Sequence, residues 1–219
     1  MISRIIKHLK QGTLPIVFID YIRKQFGFPI KYSSLAYRYN KKQIQRGIVP
    51  EKYSRIIPYI PGRRILEIGA AEGVLSLLLA QTKEKVIALE MKSNRYEEAL
   101  KLKDIFNKKG FDVNKCEIVL GNIDERYDLL EQVDTVVAVR VIYYLPDVQK
   151  TFANITKYAE NVVLCGNEGR AKEFYNSGKK RKNYYATVEG MENLLKSNGY
   201  IITEVISGGD PIVVGSKNF

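Results

Sequence analysis

Three short stretches carry the chemistry available to this sequence. The first is Glu67-Ile-Gly69-Ala70-Ala71-Glu72-Gly73, which follows an apolar run directly and leads into VLSLLLAQ. Gly69 and Gly73 permit a sharp turn and a close approach to a ligand, and Ala71 is nearly as small. A helix starting there points free N–H groups and partial positive charge at whatever occupies the turn. A dinucleotide fingerprint would need glycine at 69, 71 and 74, but positions 71 and 74 are Ala71 and Val74. Glu67 would also repel a pyrophosphate. It suits a ligand with positive charge, such as an α-ammonium or a sulfonium.

The second stretch ends in Glu90, 21 residues after Gly69, where a carboxylate can accept both hydroxyls of a ribose. The third, Gly121-Asn122-Ile123-Asp124, offers an amide, a backbone N–H and a carboxylate to an adenine edge. Each alone has a plain alternative: strand-end carboxylates facing solvent, and ordinary turn glycines. Together they point to a nucleoside with a cationic substituent.

An alternating β-α chain must position these groups. RRILEIG, KVIALE, CEIVLGN, VDTVVAVR and NVVLCGN read as strands, the apolar ones of the length a buried parallel strand needs. AAEGVLSLLLAQ, NRYEEALKLKDIFNKKG, DERYDLLEQ, DVQKTFANITKYA and VEGMENLLKSNG read as the intervening helices. YIITEVISG and PIVVGS, separated only by a Gly-Asp-Pro turn, form a terminal hairpin. The expected fold is α/β, a doubly wound, mostly parallel sheet with an antiparallel C-terminal edge hairpin. Ligands of such a sheet bind beyond the carboxyl ends of its strands, where strand order reverses.

The stretches ILEIGAAEGVLSLLLA, VIALEM, IVLGNID and LLKSNGYIITEVISGGDPIVVG resemble the class I S-adenosylmethionine-dependent methyltransferases over residues 63–216. The resemblance implies a seven-stranded Rossmann-like sheet with its last strand antiparallel. It implies that Glu67, Gly69, Ala70, Ala71 and Gly73 line the methionine part of the cofactor S-adenosyl-L-methionine. Glu90 would then hold the ribose, Met91 would pack beside the adenine, and Asn122 and Ile123 would bind the adenine edge. Ala71 departs from the glycine of many members, and Asn122 from their commoner aspartate.

The acceptor pocket is expected beyond the fourth and fifth strands. Arg140 can contact the cofactor carboxylate or an anionic substrate, or else pair with Asp134, Asp147 or Glu168. Tyr143 and Tyr144 can wall the pocket, and Glu168 is a possible base. No metal site is expected. His8, the only histidine, reads as a surface residue, and Cys165 as a buried inert thiol.

Composition bounds the rest. The 219 residues are 45% hydrophobic and 27% charged, enough apolar material for a core, which excludes a disordered or coiled-coil chain. Two cysteines make no disulfide framework, and no apolar run is long enough to span a membrane. The net charge of +11 is uneven. Residues 1–60 hold 12 bases against Asp20 and Glu51, whereas the remainder is nearly neutral. The chain therefore divides into a basic helical extension, 1–60, and a catalytic domain, 61–219.

The extension is expected to cap the cofactor cleft, and Tyr37, Arg38, Tyr39 and Arg46 are its candidate residues. Its Ile2/Ile5/Ile6/Leu9 stripe can pack on the domain or lie on anionic lipid, and its interleaved Tyr and Lys/Arg could contact RNA. The expected function is methylation of a hydroxyl or amine on a small molecule or saccharide, lipid-linked or envelope glycans included. The alternatives are an RNA methyltransferase and a binding module without activity. A cytoplasmic location is expected, peripheral to the inner face of the membrane if the extension binds lipid.

Overall fold

The computed structural model describes residues 32–46, 48–177 and 181–217. His8, the Ile2/Ile5/Ile6/Leu9 stripe and the expected membrane or RNA contacts of residues 1–31 lie outside the described residues.

Seven strands form one sheet: β1 (Arg64–Ile68), β2 (Lys85–Glu90), β3 (Cys116–Leu120), β4 (Thr135–Val139), β5 (Asn161–Cys165), β6 (Ile201–Ile206) and β7 (Ile212–Ser216). Their order is β3-β2-β1-β4-β5-β7-β6. The first five run parallel, and β7 pairs antiparallel with both β5 and β6. The terminal hairpin thus occupies one edge, with β7 inserted and β6 outermost. Composition explains which strand goes inside. The first four residues of β7, IVVG, are buried, whereas β6 carries Thr203 and Glu204 and leaves Ile201 and Val205 exposed. Gly215 completes the fit, since a Cβ there would meet Leu195 and Tyr200 at 3.0 Å.

Among the described residues seven helices flank the sheet: α1 (Tyr32–Gln45), α2 (Glu51–Ile56), α3 (Val74–Leu79), α4 (Ser93–Lys108), α5 (Val148–Ile155), α6 (Glu168–Ser177) and α7 (Val188–Ser197). Side chains alternate across each strand. Ile65, Val86, Ala88 and Val137 face a core with Leu75, Leu77, Leu102 and Phe106 of α3 and α4. Leu66, Ile87, Leu89 and Val136 face the opposite core, with Phe152 of α5 and Leu194 of α7. By the same alternation Glu67 shares the face of Ile65 and lies beneath α3.

The described part of the basic extension joins the face covered by α3 and α4. Ile44, Tyr53, Ile56 and Ile60 are buried in the core of α3 and α4, each apolar side chain contributing about 2 kcal/mol of burial. Among the described residues no helix is long and apolar enough to cross a membrane.

Two local expectations change. DERYDLLEQ forms no α-helix but two 3-10 turns, Ile123–Glu125 and Tyr127–Gln132, broken at Arg126 (φ −126°, ψ 41°). Side-chain bonds to nearby groups compete with the helix here: Asn122 caps the first turn and Tyr127 donates to Asp124. Residues 168–186, to which the sequence reading assigned no element, contain α6 and a further 3-10 turn, Arg181–Ala186.

Candidate active site

Strand order reverses between β1 and β4, and the turn from β1 to α3 lies at that point. The Gly69 and Ala70 N–H groups donate to the Leu89 carbonyl at 2.8 and 3.0 Å, holding the turn against β2. Gly69 has φ 68°, and a Cβ there would lie 2.5 Å from Val141 Cγ2. The turn after β4 thus presses on the turn after β1 closely enough that only glycine fits. Ala71 also has positive φ, 53°, a conformation that costs a residue with a Cβ about 1–2 kcal/mol.

Glu67 is 3% exposed, and its Oε2 accepts from Ser76 N at 3.1 Å and Ser76 Oγ at 2.5 Å. Burial pushes its pKa up to about 7 despite the Ser76 bonds and the nearby Lys52 ammonium. A free N–H of α3 that the sequence reading offered to a ligand is therefore taken by Glu67 itself.

Glu90 is 5% exposed at the end of β2. Its Oε2 accepts from Ala71 N and its Oε1 from Lys92 N, both at 2.8 Å. Each oxygen keeps a second lone pair, so the carboxylate can still accept from a diol. Met91, the next residue, is 60% exposed and offers apolar surface beside it. A buried acceptor pair with uncovered apolar surface alongside fits the ribose and base of a nucleoside. Asn122 Oδ1 accepts from Asp124 N at 3.2 Å, and the Ile123 side chain is buried, so Ile123 can meet a ligand only through its main chain.

Across the crevice Arg140 also adopts positive φ, 55°. Its guanidinium grips Asp210, with Nε at 2.6 Å and a second nitrogen on the same oxygen. None of Asp134, Asp147 and Glu168 is its partner. Asp134 accepts from the Arg63 and Arg64 main chain, and Asp147 caps α5 through Lys150 N. The Glu168 carboxylate is exposed and pairs with Lys172 at 2.6 Å, while its main-chain N–H donates to Asp210. The structure does not bring that carboxylate to the turn.

Tyr143 is buried and Tyr144 exposed, their ring centroids 4.7 Å apart. The Arg170 guanidinium lies 5.6 and 5.7 Å from the two rings and donates to the Tyr144 hydroxyl at 3.3 Å. Behind this shelf, segment 184–186 is clamped by glycines. A Cβ at Gly166 would lie 2.2 Å from the Ala186 carbonyl oxygen, and one at Gly190 would lie 2.0 Å from that of Tyr184. Cys116 and Cys165 are free and buried, and burial pushes both thiols up to about 12.

Sequence reasoning missed several residues around the turn. Asn40 of α1 is buried against Glu72, with Nδ2 at 3.5 Å from Oε2, and buried Tyr53 underlies Lys52, whose ammonium is 4.3 Å from the Tyr53 ring centroid. Arg38 and Arg46, singled out from the sequence, are exposed, and the Tyr39 hydroxyl accepts from Gln43. Tyr37 lies on α1, and its side chain is outside the described residues. Glu72 stood in the turn and could have been read from its place. Lys52 and Asn40 carry no local signal at all.

The sheet order, with the glycine-bearing turn at its reversal point, is that of the Rossmann-like methyltransferase fold. Residues 61–211 match the family described as a methyltransferase domain, and the chain belongs to that family. It is a methyltransferase, and the methyl donor that such a domain implies is S-adenosylmethionine. Magnesium protoporphyrin IX methyltransferase of Synechocystis PCC 6803, with bound SAM, is similar over 97% of this chain and 97% of its own, at 15% identity and a TM-score of 0.58. A TehB-like SAM-dependent methyltransferase from Corynebacterium glutamicum is similar over 85% and 98%, at 16% identity and a TM-score of 0.58. The N-terminal domain of EvdMO1, crystallised in the presence of SAH and D-fucose, is similar over 77% and 82%, at 16% identity and a TM-score of 0.55. At these identities the likeness is one of fold. A search of curated proteins finds no match.

Proposed function

We propose that the enzyme methylates a hydroxyl or amine of a small molecule or saccharide bound on the Tyr143–Tyr144–Arg170 shelf beyond β4 and β5. In this reading residues 61–219 are the catalytic domain and residues 1–60 a cap over the cofactor. S-adenosylmethionine supplies an electrophilic methyl carbon on a sulfonium. Glu90 holds the ribose hydroxyls, Met91 flanks the base, the Ile123 main chain and Asn122 amide meet its edge, and Gly69 to Gly73 leave room for the methionine part. Glu67 holds α3 in place beneath the turn and faces the donor's positive charge from below.

The observation that carries the acceptor reading is the shelf itself. An exposed ring beside a buried one, under a guanidinium, suits the flat apolar face of a sugar or other small ring with hydrogen-bonding groups at its rim. Among the described residues the shelf's cations are already engaged. Lys172 pairs with Glu168, Arg170 donates to Tyr144 and sits 3.5 Å from Glu173, and Lys182 donates to the Leu145 and Pro146 carbonyls at 3.1 Å. Such a surface offers little to a run of phosphates. That the EvdMO1 domain was crystallised with D-fucose accords with a sugar acceptor on this fold.

The test is incubation with methyl-labelled donor and either a panel of methyl glycosides and small amines or total RNA. Label is expected in the small-molecule pool. Tyr144→Ala is expected to cut transfer at least about tenfold without changing donor affinity. Label in RNA, lost steeply as salt rises, would overturn the acceptor reading.

A further inference from the structure

The Tyr143–Tyr144–Arg170 shelf is assembled from two separate pieces of chain. Its rings lie on the 3-10 turn Ile142–Tyr144 after β4, and its guanidinium lies on α6 after β5. Across the shelf Arg170 donates to the Tyr144 hydroxyl at 3.3 Å, an exposed link that water competes for.

A single carboxylate, on the turn between β6 and β7, bonds to both pieces. Asp210 Oδ2 accepts from Arg140 Nε at 2.6 Å and from a second nitrogen of that guanidinium. Arg140 stands three residues before Tyr143. Asp210 Oδ1 accepts from the main-chain N–H of Glu168 at 3.1 Å, at the first residue of α6 and two before Arg170. The two partners are 70 and 42 residues away in sequence, so nothing local enforces either bond. Because a carboxylate is planar and rigid, the groups bonded to its two oxygens keep a fixed spacing.

The carboxylate is itself anchored, with a side chain 16% exposed. The carbonyl of the next residue, Pro211, accepts from Gly166 N at 2.8 Å, which ties the turn to the end of β5. From the other side Arg55 of α2 donates to the Ser207 carbonyl at 3.2 Å. Gly209 allows that approach, since it has φ 60° and a Cβ there would lie 2.8 Å from an Arg55 nitrogen.

We propose that Asp210 is a positioning residue for the methyl acceptor. One oxygen holds the turn that carries Tyr143 and Tyr144, the other holds the helix that carries Arg170, and together they set the width of the shelf. Asp210 acts through Arg140 and α6 and does not touch the acceptor. The assignment rests on the acceptor reading proposed above and names the residue that tunes it.

Hydrogen exchange read by mass spectrometry tests the spacing on the full chain, comparing wild type with Asp210→Ala and Asp210→Asn. Asp210→Ala is expected to speed exchange at least about fivefold in residues 140–146 and in residues 167–177, and to leave residues 69–73 within about twofold. Faster exchange in neither or only one of the two shelf segments overturns the proposal. So does equal loosening of residues 69–73, which would show a general loss of stability. Asp210→Asn keeps one acceptor oxygen and is expected to loosen at least one shelf segment. If the alanine variant fails to fold, unchanged exchange in the asparagine variant overturns the proposal by itself.

Steady-state kinetics with a methyl glycoside or amine that wild type labels then separates positioning from mere structure. Asp210→Ala is expected to raise KM for that acceptor at least about fivefold and to leave the Kd for S-adenosylhomocysteine within about twofold. Faster exchange with an unchanged KM overturns the positioning role. If wild type labels no glycoside or amine, the acceptor reading falls, while the exchange result still decides whether Asp210 spaces the two segments.

Discussion

Ala71 and Arg140 share a strained backbone across the crevice: they have φ of 53° and 55°, and they are the two non-glycine residues with positive φ among the described residues. One follows β1 and the other follows β4, the strands between which sheet order reverses. Each is held by bonds that over-determine it. Ala71 N donates to Glu90, and Arg140 N donates to the Cys165 carbonyl while its side chain grips Asp210. Strain of this kind persists where surrounding contacts enforce it, and it commonly marks a ligand site.

Removing the Cβ at position 71 relieves one of the two strains. Ala71→Gly regains the left-handed penalty but adds freedom to the unfolded chain, so a net stabilisation of about 0.5 kcal/mol is expected. For a chain of this size that raises Tm by about 1–2 °C, read by differential scanning calorimetry. A fall in Tm would show that the turn does not hold its strained form in solution.

The close approach at Gly69 predicts a non-additive pair. Gly69→Ala meets both a positive φ and Val141 Cγ2 at 2.5 Å, and should destabilise by about 2–3 kcal/mol in urea titration. Trimming the neighbour with Val141→Ala removes the collision but not the dihedral penalty. The double variant should therefore recover about 1 kcal/mol relative to the sum of the single changes.

Glu67 makes stability depend on pH. Its folded pKa, about 7, lies above the ordinary 4.5, so the folded state holds the proton more tightly than the unfolded one. That contribution is fully present below about pH 4.5 and is lost as pH rises to about 7, a change on the order of 3 kcal/mol. Glu67→Gln cannot titrate. Relative to wild type its stability should rise between pH 5 and pH 8, and parallel curves for the two proteins would refute the buried acid.

The Arg140–Asp210 pair joins the turn after β4 to the hairpin turn, with side chains 40% and 16% exposed. Discounted for that exposure, Asp210→Asn should cost about 1 kcal/mol. The cost should shrink as sodium chloride rises from 0.05 to about 0.5 M, because the pair is only partly shielded from ions. A salt-independent loss would assign the effect to the hydrogen bond from Glu168 N instead.

Much of the frame was legible because its signals are local. The apolar runs of β1, β2, β4 and β5, the turn glycines and the place of Glu90 at a strand end all follow from periods of two residues and a fixed offset. The helix expected over DERYDLLEQ failed for an equally local reason, since Asn122, Asp124 and Tyr127 spend their polar groups on one another. Segment 168–186 carried no periodic signal. Its shape comes from glycines at 166 and 190, on neighbouring elements, that allow its carbonyls to approach.

Taken alone, the chain's order of residues determined the layered α/β architecture, the glycine-bearing turn after β1 and the place of two carboxylates, Glu67 within β1 and Glu90 at the end of β2. Tertiary packing decided which charges meet. Arg140 pairs with a residue 70 positions away, β7 slips between β5 and β6, and Lys52 and Asn40 come over the turn on helices whose docking no pattern encodes. The physical reason is range. Backbone periodicity and turn chemistry act over a few residues, whereas the partner of a long charged side chain is set by how apolar faces far apart in sequence are buried together.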